Sequence, residues 1–479
     1  MHEAIAKALE RRHEGRLLSV ADSLAHHYAL TDCGALAFTY LVMAGVKSVS
    51  VFSLDEADRY FSAALLIYEK DPTCASDEDV AKLAANYGRC CNMSMRVTST
   101  IALANKLRPI LNRLGDHIYH VFFLHHYASS LVWNGRYLDA VKVQQDLLDM
   151  AKRLGDPKSL AYALVSDLSV SSYGAPKSLE DYRRLRDEAQ AALVHVDDPN
   201  LTNFFYSFIA WDELCRGRVA EARMAADQAI DFGLLNNDPR SIGYGTGVKA
   251  LIAMISDDFQ EALDLADRAH SLSQADFEKA MATTSRIAAQ IALNRPGAAA
   301  DAERWLTSCE RDGWTVMAMS AEAWLAVDLA VNGRIGEGIQ SLEAVIKSRE
   351  REGNFAAADW SRLYLCEVYL AILSGEGETA LGVLVRNIGA LVGVLLFGGR
   401  RILSLVEKVR SNPQFHPDGH FIGRTEMILG LLYKAQKKNG LAAKHLSQAR
   451  LIVQSAGSSS LLTRIEKALV ELTGLAASR

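Results

Sequence analysis

The chain has 479 residues, of which 49% are hydrophobic and 23% charged, and its formal net charge is −5. This apolar content suffices for a large buried core and excludes an intrinsically disordered chain. The acidic balance also disfavours nucleic acid as a partner, because the basic pairs Arg400–Arg401 and Lys437–Lys438 are too short to form a phosphate-binding surface.

Cysteine usage and the first residues bear on the cellular compartment. The seven cysteines are odd in number and include no Cys-x-x-Cys pair. This predicts reduced thiols rather than a disulfide framework or a zinc site. Residues 1–4 are not a basic stretch that leads into an apolar run, so we expect no secretory signal and a cytoplasmic location.

Residues 1–50 are predicted to be helical, with apolar stripes around Ile5, Leu9 and Leu24 and an almost unbroken apolar run at 40–43. A repeat array needs a polar cap at each end, and this segment lacks the polar character of a cap. We therefore predict a junction segment that docks on a preceding domain, supplied in cis or in trans. A second interpretation, in which these helices simply pack onto the first repeat, stays open.

From residue 51 onward a turn with Gly or Asp, followed by a helix with a small residue near its start, recurs along the chain. Gly135-Arg136-Tyr137, Gly217-Arg218-Val219 and Gly333-Arg334-Ile335 begin three of these segments. Equivalent positions are 57, 102, 140, 182, 222, 262, 302, 338 and 380. The first and last are 323 residues apart over eight intervals, so the mean period is about 40 residues.

Local chemistry explains how each unit forms. Ser53 and Ser178 are each followed three residues later by an acidic residue, which predicts a capping box at the start of a helix. Alanines seven residues apart lie on one helix face and let a partner helix approach closely. Such pairs are Ala57 and Ala64, Ala222 and Ala229, Ala262 and Ala269, and Ala442 and Ala449.

The period and the absence of period-2 alternation together predict an all-α fold. We expect residues 51–479 to form a solenoid of helical hairpins that resembles tetratricopeptide (TPR) repeats in an α–α superhelix, with a repeat of about 40 residues. A standard TPR has about 34 residues, so longer helices or loops are expected.

Several clusters of side chains are candidates for metal or phosphate-binding sites. His117, His120, His125 and His126 are predicted to be packed or hydrogen-bonded histidines, and the less favoured interpretation is a zinc site. His26 and His27 are predicted to pack between helices, and a metal site is the less favoured interpretation of the turn between His416 and His420. The glycines of 243–249 lack the spacing of a phosphate-binding loop. We therefore predict no catalytic residue, no cofactor and no metal site.

Residues 381–399 form the most apolar stretch, but Arg386 and Asn387 interrupt it. The remaining run, Ile388–Gly399, is about 12 residues long, whereas a membrane span needs roughly 20. We interpret it as a buried helix and expect no membrane span.

The order of motifs in the first 57 residues resembles a known family junction. His2 to Glu10, Leu24-Ala25-His26-His27-Tyr28, residues 37–45 and Ser53 to Ala57 follow one another as in the passage from a signal-transduction ATPase module to its C-terminal helical repeats. Such junctions occur in large bacterial class III adenylate cyclases and in related transcription activators. Residues 133–141 and 431–449 resemble the same repeat regions, and the apolar block before Arg400–Arg401 resembles the late part of the cyclase-type chains.

The resemblance implies architecture and a regulatory role rather than activity. The chain has neither a phosphate-binding loop nor the sequence of a cyclase domain, so we expect no enzyme here. The predicted function is a protein-interaction module of the cyclase-linked kind, with an ATPase or cyclase domain among its partners. The alternative is a sensor of a small effector within a signal-transduction ATPase or transcription activator.

Overall fold

The computed structural model describes residues 1–174, 176–375 and 387–474, and in these residues every regular element is a helix. The first nine α-helices are α1 His2–Arg12, α2 Ala21–Ala29, α3 Gly34–Ser50, α4 Leu54–Lys70, α5 Asp77–Met93, α6 Val97–Leu114, α7 Ile118–Trp133, α8 Tyr137–Leu154 and α9 Pro157–Tyr173. The next seven are α10 Leu179–Leu193, α11 Pro199–Cys215, α12 Val219–Asn236, α13 Pro239–Ile255, α14 Phe259–Leu272, α15 Asp276–Ala292 and α16 Ala298–Asp312. The last seven are α17 Thr315–Val331, α18 Ile335–Glu352, α19 Phe355–Ser374, α20 Ile388–Arg410, α21 His420–Ala435, α22 Asn439–Ala456 and α23 Ser459–Thr473.

Helices that follow one another in the chain pack together, for example α7 with α8, α12 with α13 and α21 with α22. Short turns join them, as expected for helical hairpins. The prediction of an all-α, TPR-like helical-repeat fold is confirmed. Short 3₁₀ helices at Leu17–Val20 and Pro72–Cys74 are the other regular elements in the described part of the chain.

The fourth residue of the second helix in a hairpin is the packing position of the repeat. It is fully buried where it was predicted, at Ala57, Ala140, Ala222, Ala262 and Ala442. The assignment at 102 is wrong, because Ala102 is exposed. The equivalent residue of α6 is Thr100, which is fully buried. A search for small apolar residues misses this threonine. Position 380 lies outside the described residues.

The glycines of the recurring Gly-Arg turn have a conformational role. Gly217 and Gly333 have φ angles of 77° and 82°, a region that a residue with a Cβ rarely adopts. Asp257 and Lys437 take the same conformation at the equivalent turns, with φ of 62° and 59°. The turn geometry is therefore shared by hairpins that lack the glycine.

The two predicted capping boxes differ. The backbone N–H of Asp181 donates to Ser178 Oγ at 3.1 Å, so Ser178 caps α10 as expected. At α4 the prediction is wrong. Ser53 makes no capping hydrogen bond with its side chain, although its hydroxyl donates to the Glu56 carboxylate at 3.3 Å, as the Ser178 hydroxyl donates to Asp181 at 2.8 Å.

The chain divides into two compact units. Unit 1 comprises Met1–Val170, Glu188–Asp197 and Gln274–Phe277; unit 2 comprises Ser171–Asp187, Asp198–Ser273 and Glu278–Arg479. In unit 1 a single hydrophobic core runs from Tyr28 and Phe38 to Phe61 and Leu83, so the N-terminal helices pack onto the first repeat. Leu18 and Leu30 remain exposed on this segment.

Unit 2 joins residues that are far apart in sequence. His416 N donates to Arg216 O at 2.9 Å, and His420 N donates to Gly217 O at 2.7 Å. Ser458 Oγ donates to Ser256 O at 3.3 Å. These partners are about 200 positions apart, or about five repeats. A simple stack, in which each repeat contacts only its neighbours, does not predict such contacts.

Candidate functional site

The largest exposed apolar surface on a single described helix lies on α20. Six large apolar side chains along this helix remain 41–67% exposed. These residues are Ile388, Val392, Leu395, Leu396, Phe397 and Leu403. We call them the α20 face. The interpretation of Ile388–Gly399 as a buried helix is therefore wrong on this side, although Val394 and Gly398 are buried on the opposite side.

Polar contacts hold α20 to the repeats of unit 2. The Asn387 side-chain amide accepts from Gly336 N at 3.1 Å and donates to Gly333 O at 2.7 Å. Further along, the Arg401 guanidinium donates to Tyr369 Oη at 3.1 Å and pairs with Glu343 at 3.3 Å. These contacts fix the start and the middle of the helix against α18 and α19.

By length and composition alone α20 is the one helix among the described residues that is able to cross a membrane. Its contacts favour a different interpretation. Val394, Ile402 and Val406 pack inside unit 2, so one side of the helix is already part of a protein core. We therefore describe α20 as a repeat helix with an uncovered apolar side. Contiguous patches of this kind mark interaction surfaces.

The charges around the α20 face are mixed. Arg400 lies exposed at the end of the apolar turns, and Lys408 is exposed two turns later. Glu407 is also exposed and lies 11 residues after Leu396, which places both on one side of the helix. The face therefore combines an apolar centre with a basic end and a single carboxylate.

A second candidate, the aromatic pocket, lies within unit 2 and has a volume of about 420 Å³. Its walls include Phe259, Trp324 and Tyr364. The Trp324 ring is 5.7 Å from Phe259 in an edge-to-face arrangement and 5.1 Å from Tyr364. A pocket of this size with aromatic walls suits a small molecule.

Four charged groups form the floor of the aromatic pocket. Arg424 Nη1 lies 3.0 Å from Asp257 Oδ1, and Arg424 Nη2 lies 2.6 Å from Glu367 Oε1. Arg464 Nη1 lies 3.0 Å from the other oxygen of Glu367. Burial alone would raise the pKa of Glu367, but the two guanidinium groups outweigh it and lower the pKa to about 2. Asp328 also lines the pocket, so its walls hold three carboxylates and two guanidinium groups.

A third candidate, a groove of about 670 Å³, lies in unit 1 along α6, α7 and α8. Basic and acidic side chains alternate along it, and two of its arginines are engaged in ion pairs. Arg136 pairs with Asp139 and Arg153 with Asp116, each at 2.7 Å. This arrangement is an ordinary solvated helical surface, and it selects no ligand class.

The histidines of α7 do not converge on one point. His117 is the N-cap residue of α7, and its Nδ1 accepts from Tyr119 N at 3.3 Å. His120 is buried with its Nδ1 3.1 Å from Gly115 O, and burial lowers its pKa. His125 and His126 are buried with their rings 5.0 Å apart. In the turn between His416 and His420, the His420 side chain is fully buried at the start of α21, and burial lowers its pKa to about 3.

The glycine-rich stretch 243–249 lies inside α13, not in a loop. A Cβ on Gly245 would approach Ala226 O to 2.7 Å, so this glycine allows α12 and α13 to pack closely. Lys249 forms an ion pair with Asp227 at 2.9 Å. The motif therefore has a packing role.

Sequence reasoning missed the residues that form the aromatic pocket. Arg424 lies within an apolar helix, where an isolated arginine is a signal for a buried ion pair, but its partners come from residues 57 and 167 positions away. Sequence reasoning also missed His2 as a neighbour of His26 and His27.

No protein-family model matches the chain, and no curated protein matches it. Among solved structures, the crystal structure of yeast Tom70 aligns over 98% of this chain and 97% of its own at 12% identity, with a TM-score of 0.29. A circular tandem repeat protein with a novel repeat topology aligns over 99% and 94% at 13% identity, with a TM-score of 0.17. Structural similarity at this low level supports no conclusion about function.

Proposed function

We propose that this chain is a non-catalytic regulatory module that binds a partner protein through the α20 face. The observation that carries the proposal is the set of six large apolar side chains that the repeats leave uncovered on one helix. Ile388, Val392, Leu396 and Leu403 follow helical spacing, which suits an amphipathic helix laid along them. Because Arg400 is exposed at the end of the apolar turns, an acidic residue is expected at the corresponding end of the partner's helix.

A protein suits the α20 face better than a lipid bilayer does. Glu407 is exposed on the same side as Leu396, and a carboxylate that enters a bilayer together with the apolar side chains loses its hydration. Insertion across a bilayer would also break the contacts of Asn387 and Arg401 and uncover the packed side of the helix.

The finer proposal is that the partner is an ATPase or adenylate cyclase domain of a signalling protein, and that the module acts in the cytoplasm. Its support is the resemblance of the first 57 residues to the junction in such chains. The N-terminal segment would then be the second contact, since Leu18 and Leu30 are exposed there.

The test is site-specific photocrosslinking in the native cytoplasm. A photoreactive residue at Leu396 is compared with one at Lys152, an exposed position on α8. The protein captured only from position 396 is then purified, and its affinity is measured for the unmodified chain and for Leu396→Glu and Lys152→Glu. We expect Leu396→Glu to weaken binding at least tenfold and Lys152→Glu to leave it unchanged.

Equal affinities for Leu396→Glu and the unmodified chain would contradict the proposal. So would a crosslink from position 396 that joins only residues of the same chain or a second copy of it. Co-flotation of the chain with phosphatidylcholine–phosphatidylserine vesicles, lost in Leu396→Glu, would identify a membrane as the occupant instead.

The absence of catalysis is tested separately. The purified chain is expected neither to hydrolyse ATP nor to form cyclic AMP. Turnover that persists through repurification and is lost on a point substitution in this chain would contradict this.

The aromatic pocket supports a second candidate function, the binding of a small effector. Its aromatic walls suit a flat molecule that stacks on Trp324, and its carboxylates suit a hydrogen-bond donor on that molecule. Indole is a suitable probe. We expect it to raise the melting temperature of the unmodified chain but not of Trp324→Ala, and equal shifts would contradict this function.

A further inference from the structure

Three histidines from two helices meet near the start of unit 1. His2 is the first residue of α1, and His26 and His27 lie in the last turn of α2. The ring centroid of His27 is 5.2 Å from those of both His2 and His26, and the other pair is 6.2 Å apart. A nitrogen of each ring lies within 4.8 Å of a nitrogen of the other two.

Packing fixes this arrangement independently of the imidazoles. His2, Ala6 and Glu10 follow at four-residue intervals on one face of α1, and Ala6 is fully buried. The carboxylate of Glu10 accepts hydrogen bonds from Tyr28 Oη at 2.9 Å and from Tyr40 Oη at 2.5 Å. These bonds tie α1 to α2 and α3, so contacts outside the three rings hold the helices that carry them together.

A hydrogen bond accounts for only part of the arrangement. Nδ1 of His2 and Nδ1 of His27 are 2.9 Å apart, which two neutral rings satisfy when one donates and the other accepts. This bond leaves His26 unexplained, since its ring is exposed yet lies edge-on to both of the others. Each neutral imidazole has a ring nitrogen whose lone pair is able to bind a metal ion.

We propose that His2, His26 and His27 form a binding site for a divalent transition metal, with Zn²⁺ as the reference ion. Three imidazoles and one open position are a common ligand set of zinc, and imidazole also suits Cu²⁺ and Ni²⁺. Zn–N bonds of about 2.0–2.1 Å place tetrahedral ligand nitrogens about 3.4 Å apart. The His2–His27 separation of 2.9 Å and the 4.8 Å limit for the set bracket this distance, so rotation of the side chains suffices.

The partial exposure of the site determines its character. His26 is exposed and the other two rings are half-buried, so water or a side chain of a partner reaches the fourth position. The ion would link the first turn of α1 to the last turn of α2. In the described part of the chain no second set of three ligand residues approaches as closely.

The experiment uses the full-length chain without a polyhistidine tag, freed of metal with a chelator. Zn²⁺ alone is titrated by calorimetry, and Co²⁺ is added as a spectroscopic probe of tetrahedral coordination. The variants are His26→Ala, His27→Ala and, as the matched control, His195→Ala, which removes an exposed histidine elsewhere in unit 1. Because His26 is exposed, its truncation is not expected to disturb the fold, and circular dichroism checks this.

We expect one Zn²⁺ per chain with a micromolar or tighter Kd, at least tenfold weaker binding for His26→Ala, and no change for His195→Ala. Zn²⁺ should raise the melting temperature of the unmodified chain and of His195→Ala only. Affinity that is equal in His26→Ala and the unmodified chain would overturn the proposal and leave a hydrogen-bonded histidine pair only. Absence of stoichiometric binding at 100 μM Zn²⁺ would overturn it as well.

Discussion

Units 1 and 2 share the same helical hairpin but place their charges differently. In unit 1 typical ion pairs lie at the surface, as between Arg153 and Asp116, whose side chains are 57% and 38% exposed. Unit 2 has exposed pairs as well, such as Arg334 and Glu337, but it also buries some: Arg216 and Asp212 are 2% and 1% exposed, and Arg424 lies between two carboxylates. Unit 2 is also the part in which residues about 200 positions apart form hydrogen bonds. The common period specifies each hairpin, while the buried polar groups select which distant turns meet.

The largest expected effect is at Arg424. Replacing it with Met leaves Asp257 and Glu367 buried with less compensation, which costs about 3–5 kcal/mol for a broken buried pair. Urea unfolding followed by hydrogen exchange should show early loss of protection in α14, α19 and α21.

The matched control is Arg153→Met in unit 1, where an exposed pair contributes about 0–1 kcal/mol. If the two substitutions destabilise the chain equally, burial of the charge is not what distinguishes the units.

Overpacking of the repeat is expected to be the next largest effect. Ala262 in unit 2 and Ala140 in unit 1 occupy the same fully buried position of their helices. Leucine at either site should destabilise the fold by about 1–3 kcal/mol, because the partner helix must move away. Thermal melts should show similar losses for both, while the exposed Lys142→Ala should have little effect. A harmless Ala262→Leu would show that the repeat register is wrong.

A pH-dependent effect is expected from Glu213 in unit 2. This side chain is 3% exposed, and burial raises its pKa to about 7 even though Arg218 lies 3.2 Å away. A raised pKa favours the protonated form in the folded state. The stability that Glu213 contributes is therefore present below its unfolded pKa of about 4.5 and is lost as the pH rises toward 7.

The unfolding free energy of the unmodified chain should fall between pH 5 and pH 8. We expect this fall to be smaller in Glu213→Gln by about 1–3 kcal/mol. Other buried groups, such as His420, also titrate, but they contribute equally to both proteins and cancel in the difference. Denaturant unfolding at several pH values measures this difference between the variant and the unmodified chain, with Glu303→Gln at an exposed position as the control. Parallel pH profiles for Glu213→Gln and the unmodified chain would show that Arg218 fully compensates the buried carboxylate.

The sequence allowed the fold to be predicted where the signal is local. Alanine spacing and a turn with Gly or Asp depend on neighbouring residues of one hairpin, and both patterns predicted the packing positions at Ala222 and Ala262. The error at 102 has the same origin: Thr100 fills the position of an alanine, and a composition pattern does not recognise a buried hydroxyl.

The candidate sites were not predictable in the same way, since each depends on contacts that no period encodes. The partners of Arg424 come from distant repeats, and the α20 face is apolar in sequence but is left uncovered by the fold. His2 joins His26 only because α1 packs on α2. Apolar sequence indicates that a helix is able to be buried, not that a neighbour covers it.

The smallest expected effect concerns two serines that look equivalent in sequence. Both hydroxyls donate to the carboxylate three residues later, but only Ser178 in unit 2 also accepts a hydrogen bond from a backbone N–H, that of Asp181. Ser53 in unit 1 leaves the N–H groups of α4 uncapped by its side chain. Loss of a capping hydroxyl typically costs about 1 kcal/mol, because an N–H group of the first helical turn loses its acceptor. Ser178→Ala should therefore lower the unfolding free energy by about 1 kcal/mol, and Ser53→Ala by less than about 0.5 kcal/mol. Chemical denaturation of the two variants, with hydrogen exchange of α10 and α4 as the local readout, measures this difference. Equal losses would mean that Ser53 caps α4 in solution, and that the sequence pattern predicts capping better than the geometry of this helix start does.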